Sequence, residues 1–99
     1  MTPVRLRQRA RRDLAEAIAW YRERNNDVAA RLAAEVRQTL QHLEHFPDTG
    51  GRVPGVDDAD LRQLPVHNFP YSIVFIRFST HVSVLAIAHK RRRPGYWRQ

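Results

Sequence analysis

The stretch Tyr71-Ser72-Ile73-Val74-Phe75-Ile76-Arg77-Phe78-Ser79-Thr80-His81-Val82-Ser83-Val84-Leu85-Ala86-Ile87-Ala88 decides the fold. Two runs rich in β-branched and aromatic residues flank Ser79-Thr80-His81, a break of hairpin length. The first run is apolar and aromatic and the second is an almost continuous apolar run, so both are expected to be central strands. Just upstream, Leu61 to Val66 reads as a third strand. Pro65 places that strand at a sheet edge or a bulge, because proline has no amide hydrogen for a ladder.

Towards the N-terminus the period changes from two to 3.6. Ala10, Leu14, Ala17, Ile18 and Tyr21 form one apolar stripe of a helix starting at about Arg9. Arg9–Asp13 and Arg12–Glu16 are i,i+4 pairs expected on its solvated side, each contributing a few tenths of a kcal/mol, about 0.3. Asn25-Asn26-Asp27 breaks this helix, and Asp27 is the expected N-cap of a second, from about Val28 to His45. Leu32, Val36, Leu40 and Leu43 give the second stripe, widened by Ala29 and Ala33. Phe46-Pro47-Asp48-Thr49-Gly50-Gly51 ends it, and Arg52 to Asp60 reads as loop. Ahead of the helices, Val4 and Leu6 alternate with Arg5 and Arg7, which predicts a short strand. The fold class is therefore α+β: a short N-terminal strand, then an antiparallel helical hairpin packed on a small, mainly antiparallel sheet.

The chain has 99 residues, enough for one domain spanning 1–99 and one modest core. Seventeen Lys and Arg against ten Asp and Glu give a net charge of +7, and all the basic residues except Lys90 are arginine. Arginine suits forked contacts with phosphate or carboxylate, so an acidic partner is expected. With no cysteine there is no disulfide framework, no Cys-ligated zinc and no thiol nucleophile. No apolar run approaches the roughly 18 residues of a membrane span, and the basic N-terminal stretch lacks the apolar core of a secretory signal. A cytoplasmic location without membrane contact is the expectation.

Several short motifs occur in a telling order. "Ala-x-x-Asp-Leu" (Ala10, Asp13, Leu14) opens the first helix and Trp20-Tyr21 lies near its end. "Leu-x-x-Phe-Pro-x-x-Gly" runs from Leu43 to Gly50, "Leu-Arg-x-Leu" covers Leu61, Arg62 and Leu64, and "Phe-Pro-Tyr-x-Ile-Val-Phe" runs from Phe69 to Phe75. The chain closes on Ala86-Ile87-Ala88-His89-Lys90-Arg91-Arg92-Arg93-Pro94-Gly95-Tyr96-Trp97. Along nearly its whole length the sequence resembles the RelE/ParE superfamily of toxins from type II toxin–antitoxin modules. The resemblance implies a growth-inhibiting toxin in a hetero-oligomer with its cognate antitoxin. It leaves two targets open: ParE-like members bind DNA gyrase, and RelE-like members cleave messenger RNA on the ribosome. No cofactor and no metal are implied.

Metal-free RNA cleavage needs proton carriers and cations around the crowded phosphate. The carriers on offer are His67, His89 and Tyr96; the cations are Arg62, Arg77 and Arg91 to Arg93. Aligned on Phe69 to Phe75, the positions where RelE-like nucleases carry basic residues hold Gln63, Pro65 and Ser72 here. Arg91 matches that pattern, Tyr96 matches with a one-residue slip, and Arg62 lies one residue off. A nuclease would use Arg91, Tyr96 and His89; a ParE-like toxin without an active site of its own is the leading expectation. For the acidic antitoxin or the target, the expected contacts are Arg62, Arg91, Arg92, Arg93, Tyr96 and Trp97. A nontoxic, basic nucleic-acid-binding module is a third reading, carried by charge alone. His42 and His45 are spaced i,i+3 on a helix, but as cations they suit its C-terminus better than a metal, since sequence ties no further ligand to them.

Overall fold

A computed structural model describes residues 1–91. Strand β1 spans Val4–Leu6, followed by helices α1, Gln8–Arg22, and α2, Asn26–His45. Strand β2 is Gly51–Arg52, β3 Leu61–Pro65, β4 Tyr71–Arg77 and β5 Val82–His89. The five strands form one mixed sheet in the order β1-β5-β4-β3-β2. β1 runs parallel to β5, and the other neighbours are antiparallel. The two strands expected to be central, β4 and β5, are each paired on both sides.

Two details of the element ends differ from the sequence reading. Gly51 and Arg52, assigned to the helix stop and the following loop, pair with Gln63 and Arg62 as a short edge strand. The N-cap of α2 is Asn25, not Asp27: its side-chain oxygen accepts from the backbone N–H of Asp27 at 2.9 Å and of Val28 at 3.3 Å. Asn25 wins because its backbone is extended, which aims the side chain at the first free amides, while Asp27 already lies within the helix.

Pro65 sits where its missing amide costs nothing. Val66 N–H bonds the Tyr71 carbonyl at 2.9 Å and Arg77 N–H bonds the Asp60 carbonyl at 3.1 Å. With this alternation the backbone groups of Pro65 face away from β4, beyond the reach of β2, so proline blunts an open edge.

The main core lies between the helical hairpin and one sheet face. Leu32, Val36 and Leu43 of α2 and Ala10 and Ala17 of α1 pack with Ile73, Phe75, Val82, Val84 and Ile87. Burying each large side chain of this set contributes about 1.5–3 kcal/mol. Leu40 packs at the rim of this core and is only partly buried. On the opposite face the segment after β2 supplies Val53 and Val56, which cover Leu61, Val74 and Ala86.

One irregularity in β5 positions the candidate site. Val74 pairs with Ala86 and the next residue, Phe75, pairs with Val84, so Leu85 is an extra residue in a β-bulge. Val82 and Val84 face the helices; after the bulge it is Ile87 that does so, while Leu85, Ala86 and Ala88 join the other face. Without this shift, strict alternation would turn His89 away from α1.

Candidate functional site

The C-terminal end of β5, the start of β4 and the C-terminal half of α1 enclose a cleft of about 430 Å³. Asp13, Glu16, Ala17, Trp20 and Tyr21 form its helical wall, and Tyr71, Ile87, His89 and Arg91 the strand wall. Positions 13, 16, 17 and 20 follow i, i+3, i+4, i+7 spacing, so one face of α1 presents them together. The face is held to the sheet by Asp13, whose Oδ2 accepts from the Ile87 amide at 3.0 Å. Among the described residues that amide has no strand to pair with, because β1 ends at Leu6, opposite Val84.

His89 is fixed by two contacts. Its Nδ1 accepts from the Arg91 amide at 3.0 Å, and its ring meets the Tyr71 ring edge to face, 5.1 Å between centroids. The acceptor bond at Nδ1 leaves Nε2 as the protonated nitrogen of the neutral ring. On the other wall Trp20 and Tyr21 meet edge to face at 4.9 Å, and Tyr21 meets Phe69 at 5.5 Å. Trp20 is 50% exposed, with the Arg24 guanidinium 3.6 Å from its ring centroid, so the ring already serves as a cation platform.

The sequence-derived candidates separate here. His89 and Arg91 come together in this cleft. Arg62 does not: it pairs with Phe75 and Arg52 towards the other end of the sheet, and its Nε donates to the Ala59 carbonyl at 2.7 Å. His67 lies in a separate groove beside α2, with Glu35, His42 and Leu64. Arg77 is engaged with Asp48 and Asp60. Arg92, Arg93, Tyr96 and Trp97 lie outside the described residues. His45 Nδ1 lies 3.0 Å from the Gln41 carbonyl, and no group of three or more metal-ligating side chains occurs among the described residues.

Five lining residues escaped the sequence reading: Asp13, Glu16, Trp20, Tyr21 and Tyr71. The i,i+4 arithmetic put Asp13 and Glu16 on a solvated face, but Asp13 turns to β5 and no ion pair joins Glu16 to Arg12 among the described residues. The spacing of 13, 16, 17 and 20 was the available pointer.

The sequence profile of the ParE toxin of type II toxin–antitoxin systems, parDE, matches residues 4–94. The chain belongs to the ParE toxin family. Compared with curated proteins, it has no significant match. Among solved structures it is similar to a chain described as "Chromosomal ParDE TA system from P. aeruginosa". The TM-score is 0.76 at 19% identity, covering 90% of this chain and 96% of that one. At this identity the likeness speaks for the fold. Among the described residues of this ParE-family chain, no helix is long and apolar enough to cross a membrane.

Proposed function

We propose that this ParE-family toxin acts in the cytoplasm by binding DNA gyrase and that an acidic cognate antitoxin silences it in a hetero-oligomer. The observation that carries the choice of target is the dispersal of the candidate cations among the described residues. Arg62 and Arg77 are engaged at one end of the sheet, while Arg91 and His89 share their cleft with two carboxylates. Carboxylates beside a scissile phosphate repel it, whereas phosphate chemistry depends on donors and cations aimed at the developing charge. A protein-binding mode of action makes no such demand. In a supercoiling assay with purified toxin, gyrase is expected to lose activity as toxin is added; unimpaired supercoiling at toxin excess would overturn the target assignment.

One observation favours a second reading, a ribosome-dependent endonuclease. His89, with Nε2 available to carry a proton, stands beside Arg91. Primer extension on translated messages after induction separates the two readings: cuts within codons mark the nuclease and intact messages the gyrase poison. Steep, salt-dependent nucleic-acid binding without growth arrest would mark a nontoxic binding module instead.

The charge of +7 supports an acidic antitoxin that is steered electrostatically. Replacing Arg91, Arg92 and Arg93 by Gln is expected to slow association severalfold and flatten its salt dependence, with a smaller effect on dissociation. Stopped-flow association at two salt concentrations measures both.

A further inference from the structure

The α1–β5 cleft has a charge arrangement that the net charge of the chain hides. Its helical wall carries Asp13 and Glu16, and Glu16 makes no ion pair among the described residues. Next to them stand Trp20 and Tyr21, aromatic rings of the kind that attract cations, as the Arg24–Trp20 contact shows. The strand wall offers the opposite polarity in Arg91.

Among the described residues the backbone at this point also lacks a partner strand on one side. Lys90 N–H bonds the Pro70 carbonyl at 2.8 Å, so the alternation turns the neighbouring His89 N–H away from β4. On that side β1 has already ended, and the preceding outward amide, Ile87, takes a side-chain oxygen in place of a strand. A passing chain therefore meets an amide donor at His89, a carboxylate at Glu16 flanked by aromatic rings, and a guanidinium at Arg91.

We infer that the cleft seats an extended stretch of the antitoxin that places a basic side chain, arginine or lysine, against Glu16 and the rings of Trp20 and Tyr21. A main-chain carbonyl of the same stretch accepts from His89 N–H, and a carbonyl or carboxylate meets Arg91. The inference rests on the antitoxin reading given above and specifies its chemistry at one site. An acidic side chain facing Glu16 would stand beside a carboxylate that makes no ion pair among the described residues, so charge complementarity selects a basic one. An otherwise acidic antitoxin would thus carry a cation at this one contact, which gives register to a long-range attraction that has none of its own.

The test uses the purified chain and the antitoxin recovered by co-expression with the adjoining reading frame. Glu16→Arg is expected to weaken the complex tenfold or more, mainly through faster dissociation. Glu23→Arg, a reversal at another exposed position of the same hairpin, is expected to leave affinity unchanged or raise it, since added positive charge favours an acidic partner. The opposite response of two identical charge reversals is the signature. If Glu16→Arg fails to fold, Glu16→Gln is expected to weaken binding about threefold. Hydrogen exchange at the His89 amide is expected to slow at least tenfold in the complex. A wild-type complex that Glu16→Arg leaves intact or tightens overturns the cleft assignment alone. Absence of any complex with the wild-type chain overturns the antitoxin reading and this inference with it. A His89 amide protected in the free chain and released when residues 92–99 are deleted assigns the cleft to the chain's own tail and likewise overturns the inference.

Discussion

At one end of the β4–β5 ladder, Arg77 reaches Asp48 at 3.2 Å and Asp60 at 3.5 Å, tying the turns after α2 and before β3 to the sheet. At the other end, β5 runs past the last residue of β1 and a side chain of α1 takes the place of a partner strand. The first end is closed by charges that serve the protein itself. Among the described residues the second is closed by Asp13, next to a cleft lined by carboxylate, aromatic and guanidinium groups. Even the closed end is imperfect: Arg77 Nε is buried without a hydrogen-bond partner, because the two carboxylates engage the terminal nitrogens. A small domain can spend its arginines on structure at one end and leave them for recognition at the other, and net charge does not tell the two apart.

The largest effect expected is on the core both ends share. Leu43 is fully buried between α2 and the sheet, so Leu43→Asp strands a charge there, at a cost of several kcal/mol, comparable to the whole stability of a small domain. Calorimetry should show no cooperative transition. Leu40→Asp, at the rim, is expected to be milder, and the reverse order would contradict the assigned α2 face.

Next comes the closed end. Gly50 has φ +99°, and a Cβ there would lie 3.0 Å from both the Gln63 carbonyl and Phe75 Cζ. Gly50→Ala combines backbone strain with a clash against backbone and a core ring, and about 2 kcal/mol is expected. Denaturant melts measure it. Gly51, the neighbour, has open space at its Cβ, and Gly51→Ala should cost well under 1 kcal/mol, about 0.5.

At the open end the critical contact is Asp13 to Ile87. Asp13→Ala leaves the Ile87 amide unpaired, a loss of about 1–3 kcal/mol. Asp13→Asn keeps an acceptor and should recover most of it. Hydrogen exchange at Ile87 reads the contact directly: faster in the alanine variant and near wild type in the asparagine variant. Equal exchange in all three would mean that the open end is closed by something other than Asp13.

How much of this was legible follows from the pattern of each element. The helical stripes carry a clear period and the β4 and β5 runs an apolar, β-branched and aromatic composition, and both helices and all three long strands lie where these signals put them. Gly51–Arg52 was missed because two residues have no period. The bulge was missed for the opposite reason: Val82 to Ala88 is apolar on nearly every residue, so a shift of register leaves no mark in the pattern. The cleft depended on that bulge and on Asp13 turning inward, so the family resemblance and the chemistry of the basic run reached Arg91 and His89 but not the wall opposite them.

The smallest expected effect concerns the turn between the helices, next to the cleft's helical wall. Two residues compete as N-cap of α2, and the structure favours Asn25 through bonds to the amides of Asp27 and Val28. Asn25→Ala leaves those exposed amides to water and should cost about 1 kcal/mol. Asp27, in the first turn, acts only through its charge near the helix N-terminus, so Asp27→Ala should cost about 0.3–0.5 kcal/mol and less at high salt. Adding salt therefore separates them: the Asn25 effect persists at 1 M and the Asp27 effect fades. Thermal melts of both variants at two salt concentrations suffice. If Asp27→Ala proved the costlier and insensitive to salt, the cap would belong to Asp27, and α2 would begin two residues later than its hydrogen bonds place it.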